Sequence, residues 1–173
     1  YRFLVAADAW IFLNLLLAIA MSIPGINVYT HGTHITVAHT MGATIGINSF
    51  LLLAIGFDII QQNCLPFSSF EKWLKRGFWI ANISLFIFWI SLVTAGILKA
   101  KWQMSESQVP FSSMMLSLRP FFILFFISGI TMFTGFLMII YPLMKNQLSC
   151  YFKKGLQNKK SDQRFTTNSL ITE

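Results

Sequence analysis

The sequence predicts an all-α, polytopic membrane protein built as a bundle of four transmembrane helices, on three observations. Of the 173 residues, 55% are hydrophobic, 18 are Phe and only 11% are charged, which is too little polar material to cover a soluble domain. Four stretches with little or no charge, about residues 3–23, 35–60, 77–98 and 120–143, each reach the roughly 20 residues that cross a hydrocarbon core. The third observation is the placement of the basic residues. Ten of them (Arg2, Lys72, Lys75, Arg76, Lys145, Lys153, Lys154, Lys159, Lys160 and Arg164) fall on one side of such a bundle, and three (Lys99, Lys101 and Arg119) on the other. Lys and Arg are retained on the cytoplasmic side, so both termini are expected there and the link 24–34 outside.

The net charge of +7 is therefore a topology signal and not the footprint of a nucleic-acid partner. The expected surroundings are membrane lipid, and the basic tail suits anionic headgroups. Residues 1–144 read as the transmembrane unit. Residues 145–173 read as a basic cytoplasmic tail, largely disordered once the composition turns polar near Gly155. Cys64 and Cys150 fall on the predicted cytoplasmic side, where thiols stay reduced, so no disulfide is expected. Neither has a partner at metal-ligand spacing. The chain opens at Tyr1, directly at a span without signal-peptide features, and reads as a piece of a longer protein.

The first span carries Asp8 near its cytoplasmic end and Asn14 near its middle; Asp8 is expected to reach water or a neighbouring helix. The run Ser22-Ile23-Pro24-Gly25 should end this helix, because Pro bars its continuation and Gly lets the chain turn. A polar loop, Asn27 to Gly32, is expected to lead into the second span. That span is lined with small and polar residues, among them Thr36, Ala38, Thr40, Gly42, Thr44, Gly46 and Asn48. Small side chains admit a neighbouring backbone or a flat cofactor, and Gly42 and Gly46 alone would suit helix packing. Asp58 is expected to snorkel or cap at the far end.

In the third span Trp79 and Trp89, with Trp73 and Trp102 beside it, read as an interfacial aromatic belt. Asn82, Ser84, Ser91 and Thr94 read as interhelical hydrogen-bond partners. The fourth span is expected to start at Arg119-Pro120, since Pro is well tolerated at a helix start. Its Gly129 and Gly135 suggest a tight contact face.

All three histidines, His31, His34 and His39, lie at the entrance of the second span. Imidazole at membrane depth is costly unless it binds something, so this is where function is to be sought. Side chains on a helix are spaced about 100° apart, which points His39 and Met41 about 200° apart, to opposite faces. They cannot share one metal, but each can supply an axial ligand to a separate flat cofactor. His and Met both ligate haem iron, although Met is more often core filler.

The run Ile26-Asn27-Val28-Tyr29-Thr30-His31-Gly32-Thr33-His34-Ile35-Thr36-Val37-Ala38-His39 closely resembles the start of the tenth helix of the large subunit in the haem-copper oxidase superfamily. Asn27, Tyr29 and His31-Gly32-Thr33 look most like the nitric oxide reductase branch. Phe12-Leu13-Asn14 and Ser22-Ile23-Pro24 are similar to the preceding helix of these reductases. The resemblance is specific over about residues 1–60 and rests on helix count and order from 77 to 143.

The resemblance implies that the four spans are the C-terminal part of a twelve-helix subunit. It implies two haems flanking the second span, with His39 as proximal ligand of the high-spin haem b3 at the active site. The position two residues later ordinarily holds a histidine for the low-spin haem b. Here it is Met41, so the low-spin haem either has His/Met ligation, expected to raise its potential, or has lost this ligand. His31 matches a histidine near the haem propionates and a structural metal, for which calcium is the candidate, and Arg119 lies on the side where it can pair with propionates. His34 has no counterpart and reads as a polar interfacial residue.

By the same resemblance the complete enzyme joins two NO molecules, with two electrons and two protons, to give nitrous oxide and water. A non-haem iron held by the missing N-terminal helices of the subunit, with a cytochrome c subunit or quinol as electron donor, would complete it in a bacterial inner membrane, haem side periplasmic. These 173 residues alone are not expected to catalyse anything. The alternatives are an oxygen-reducing terminal oxidase, which shares the helix and its histidine, and a non-catalytic membrane protein such as a transporter half or an assembly factor.

Overall fold

The computed structural model describes residues 1–63, 71–105 and 109–169, with side chains over residues 1–62, 71–105 and 109–150. All regular structure among them is helical: α1 (Arg2–Ser22), α2 (Pro24–Thr30), α3 (His34–Met41), a π-helical segment (Gly42–Ser49), α4 (Phe50–Asn63), α5 (Glu71–Met104) and α6 (Phe111–Ser169). Four stretches are long and apolar enough to cross a membrane: Arg2–Ser22, His34–Gln62, Glu71–Met104 and Phe111–Cys150. Each overlaps one of the four expected spans, the third and fourth being longer at both ends. The second is one rod made of α3, the π segment and α4 in succession.

α1 ends at Ser22 as expected, with Ile23 extended ahead of Pro24. The next residues are not simply a loop. Pro24 stands at the start of α2, where its fixed φ suits a first helical turn and its missing N–H is no loss. The link from α2 to α3 turns at Gly32, whose φ of +69° is the left-handed conformation that glycine adopts without a Cβ penalty. Thr33 then caps α3: its hydroxyl oxygen accepts from the Ile35 N–H at 3.3 Å and donates to Thr30 O at 2.7 Å.

Cross-links at the two ends fix the alternating course of the chain. At one end Arg2 faces Glu71, the first residue of α5, at 3.8 Å, and Phe3 stacks on Phe57 of α4 at 5.0 Å between ring centroids. At the other end Lys99 Nζ donates to Gly32 O at 3.3 Å, and Trp102 Nε1 donates to Val109 O at 3.0 Å, closing the passage from α5 to α6. The core between these ends gathers Ala7, Trp10, Ala38, Phe50, Ala81, Leu85, Phe88, Leu92 and Ile139 from all four spans.

Close helix approach in lipid depends on small residues, because lipid tails give no hydrophobic drive between helices. A Cβ on Gly135 of α6 would lie 2.7 Å from Ala81 N on α5, whereas one on Gly129 would meet Phe88 at an ordinary 3.5 Å. Of the two glycines expected to form a tight face, only Gly135 does so. Gly135→Ala is expected to cost about 1–3 kcal/mol through overpacking, and Gly129→Ala close to nothing, in thermal unfolding of the detergent-solubilised protein.

The fourth helix begins at Phe111, not at Arg119-Pro120, which places Pro120 and Pro142 inside it. Pro110 precedes its first turn, and Trp102 holds the link that leads into it. An interior Pro forfeits one backbone bond, which transmembrane helices tolerate through local adjustment. The helix also runs on past the span, through residue 145, to Ser169. Cys150 is disulfide-bonded, against the expectation of free thiols; Cys64 lies outside the described residues.

Candidate functional site

The histidine-bearing rod is held by three contacts on its inner face, each made by a small or flat surface. Gly96 of α5 lets the start of α3 sit against it, since a Cβ there would fall 2.7 Å from Ile35 N. Gly42 sits beneath Asn14 of α1 and Trp89 of α5, and Gly46 against the ring of Trp10, which a Cβ would approach to 2.6 Å. Trp10 in turn donates through Nε1 to Asn82 Oδ1 at 3.4 Å, tying α1 to α5. Asn82 is thus an interhelical partner as expected.

Ser84, Ser91 and Thr94 are not. Ser84 donates to Ile80 O, Ser91 to Phe88 O at 2.7 Å and Thr94 to Ile90 O at 2.8 Å, all within α5. Hydroxyls one turn from a carbonyl of their own helix satisfy themselves there. Trp89 also departs from the interfacial belt. It lies midway along α5, half-buried, edge-on to Trp10 at 6.2 Å between ring centroids.

The small and polar residues of the second span divide between two faces. Gly42 and Gly46 are packing positions on the inner face. Thr40, Thr44 and Asn48 are exposed on another, with the threonine hydroxyls donating back to Thr36 O at 3.0 Å and Thr40 O at 2.8 Å. Ser49 donates five residues back, to Thr44 O at 3.3 Å, as the wider π turn demands. π-Helical turns are rare and frequent at functional sites, and this one starts directly after Met41.

His39 stands on α3 beside the buried line of Ile35, Ala38 and Gly42. Its ring is half-buried, and Nδ1 is enclosed with no hydrogen-bond partner among the described residues. Neutral imidazole offers one donor and one acceptor, so the enclosed Nδ1 leaves the ring with hydrogen-bonding capacity that the described residues do not meet. Met41 is partly buried and packs against the main apolar core. On an α-helix His39 and Met41 flank the inner face from opposite edges.

The remaining candidates do not join them. His31 closes α2, donating its backbone N–H to Asn27 O at 2.9 Å, and its side chain is exposed. His34 opens α3, half-buried, with its ring 5.1 Å from that of Phe122 and Nδ1 enclosed without a partner. Arg119 is exposed on α6, one turn before Phe122, so it belongs to the level of His34 and not of His39. Among the described residues no three His, Cys, Asp or Glu side chains converge on a metal site. His34 and His39 both carry an enclosed Nδ1 without a partner among the described residues, and His39, five residues further into the span, is the one whose place suits a haem iron.

Asp8 is exposed. Asp58 accepts from Gln62 Nε2 at 2.8 Å at the exposed end of α4, the surface role expected of it. Residues that the sequence did not single out as a group are Asn14, Trp89 and Gly42. Each sits on a different span, and nothing in linear order links them.

In comparison with protein families, residues 1–131 match the family described as Cytochrome C and Quinol oxidase polypeptide I. The match runs through three spans and into the fourth, well beyond the histidine segment. No curated protein matches the chain.

Proposed function

The chain belongs to the cytochrome c and quinol oxidase polypeptide I family, and on that premise we propose that it is the C-terminal part of a nitric oxide reductase large subunit in which His39 is the proximal ligand of the active-site haem. Family membership makes it an integral membrane member of a haem-containing oxidoreductase family. The reductase reading goes further. It is supported by Asn27, Tyr29 and His31-Gly32-Thr33 ahead of the span, which resemble the reductase branch more than the oxidases. The observation that carries the site is the half-buried imidazole of His39, with Nδ1 enclosed and unpaired on a membrane span.

Haem, when bound, would supply a redox-active iron for reduction of a gaseous substrate. His39 would hold that iron through its imidazole. α3 aims the ring, because Ile35 and Ala38 are fixed against the core and Gly96 allows the close approach. Substrates held side by side gain the advantage of proximity, but in this reading the ligands of a second metal and the low-spin haem's second ligand would come from other helices, and the electrons from a cytochrome c subunit or quinol. Met41 is proposed as a low-spin haem ligand, and His31 and Arg119 as partners of propionates at the outward end.

Substrate choice is tested on the purified full-length protein under anaerobic conditions. Consumption of NO with formation of one N2O per two NO is expected. Reduction of O2 without NO turnover would establish the oxygen-reducing reading. A colourless protein would remove both. For Met41, substitution by leucine is expected to abolish a methionine-sulfur charge-transfer band while leaving the high-spin signal. Persistence of the band would exclude Met41 as a ligand.

A further inference from the structure

A cleft of about 710 Å³ opens at the end of the bundle where α1 begins and α4 ends, between Leu4 of α1 and Ala54, Ile55, Phe57, Asp58 and Gln62 of α4. Small-molecule sites have roughly 300–1,000 Å³, apolar walls and a few polar groups placed together. The lining changes character along the helix axis. Leu4 and Ile55 are exposed apolar residues, and Phe57 is steadied by stacking on Phe3 at 5.0 Å between ring centroids. Asp58 and Gln62 follow, and Gln62 is the last residue of the membrane span. From Ala54 to Gln62 the helix rises about 12 Å. Apolar walls within the span and polar groups at its end match a lipid, with its chain in the hydrocarbon and its headgroup at the interface.

The polar end selects the headgroup. Asp58 Oδ2 accepts from Gln62 Nε2 at 2.8 Å. This bond turns the amide nitrogen of Gln62 to the carboxylate and leaves its Oε1 as an acceptor, beside the remaining lone pairs of Asp58. Asp58 is the one charged side chain in the lining, and the C-terminal turn of α4 adds partial negative charge. Acceptors and negative charge together call for a cation with several N–H donors. A primary ammonium has three. A choline headgroup has none, an anionic headgroup is repelled, and a calcium or magnesium ion gathers about six or more oxygens. We infer that this cleft holds one phospholipid with a primary-ammonium headgroup, its ammonium donating to Asp58 and to Gln62 Oε1 and one acyl chain lying along Leu4 and Ile55. The bound lipid fixes the α1–α4 edge in the bilayer and is independent of the haem ligands and of the gas reduced.

Native mass spectrometry of the full-length protein, titrated in mild detergent with phosphatidylethanolamine, phosphatidylcholine or phosphatidylglycerol of the same acyl chains, reads the selectivity. Wild type is expected to take up one phosphatidylethanolamine about 10-fold more tightly than either of the others, the scale set by a hydrogen bond to a charged group. Asp58→Asn is expected to remove that preference and to leave phosphatidylcholine uptake unchanged. Ala54→Phe, which fills the cleft, is expected to abolish the tight uptake. Equal uptake of the three lipids by wild type, or a preference for phosphatidylglycerol, overturns the inference without any variant having to fold. So does a phosphatidylethanolamine preference that persists at full strength in either variant, with helical circular dichroism showing the variant folded.

Discussion

Replacing His39 by alanine in the full-length protein is expected to abolish the high-spin haem signal and to lower gas-consuming turnover by more than about 100-fold. Loss of an outer partner of a metal ligand already costs roughly 10–100-fold in affinity or activity, and an axial ligand should cost more. The fold should survive. Among the described residues His39 makes no hydrogen bond through Nδ1, and the inner face of α3 is carried by its neighbours Ile35 and Ala38. Helical circular dichroism and the yield of solubilised protein should therefore stay near wild type while the optical spectrum loses the signal. Intact pigment and turnover in His39→Ala would remove the haem assignment. A collapse of yield would instead show that the imidazole serves packing.

The second large effect concerns the support beneath that residue. Gly96→Val is expected to destabilise the protein by about 3 kcal/mol, the upper end of the usual overpacking range, and to disturb the haem spectrum along with stability. The reason is that a Cβ at Gly96 falls 2.7 Å from Ile35 N and 2.4 Å from Ile35 Cγ1. Ile35 Cγ1 can swing aside, but backbone nitrogen cannot, so α3 itself must move off α5. Gly56 is the contrast, because a Cβ there meets nothing within 4 Å; Gly56→Ala should be neutral or slightly stabilising, as the helix propensity of Ala over Gly is worth up to about 1 kcal/mol. Thermal unfolding in detergent distinguishes the two. Equal effects from both substitutions would show that the α3–α5 contact is loose.

The histidine that anchors the functional reading was legible before any fold was known, because an ionisable ring inside an apolar span is conspicuous in linear order. The 200° separation of His39 from Met41 came from helix geometry alone. The π segment was not legible. Its residues Gly42 to Ser49 are mostly small or apolar, and a change from an α to a π turn alters the register of such a run without altering its hydropathy. Trp89 was misplaced for a related reason. A Trp near a span suggests the interface by composition, whereas its contact with Trp10 and its approach to Gly42 depend on how α1, α5 and the rod come together.

By itself the sequence determined what short-range physics controls: four apolar lengths matched to a bilayer, the stop at Pro24 and the one deep histidine. Hydrophobic length and backbone stereochemistry need no distant partner, so they can be read residue by residue. The tertiary structure alone decided which small residues are contact points, why Gly96 and Gly135 meet backbone while Gly56 meets nothing, and that Asn14 and Trp89 share one place over Gly42. In lipid, helices associate by close van der Waals fit and a few polar links, and such a fit depends on the relative rotation of helices far apart in the chain.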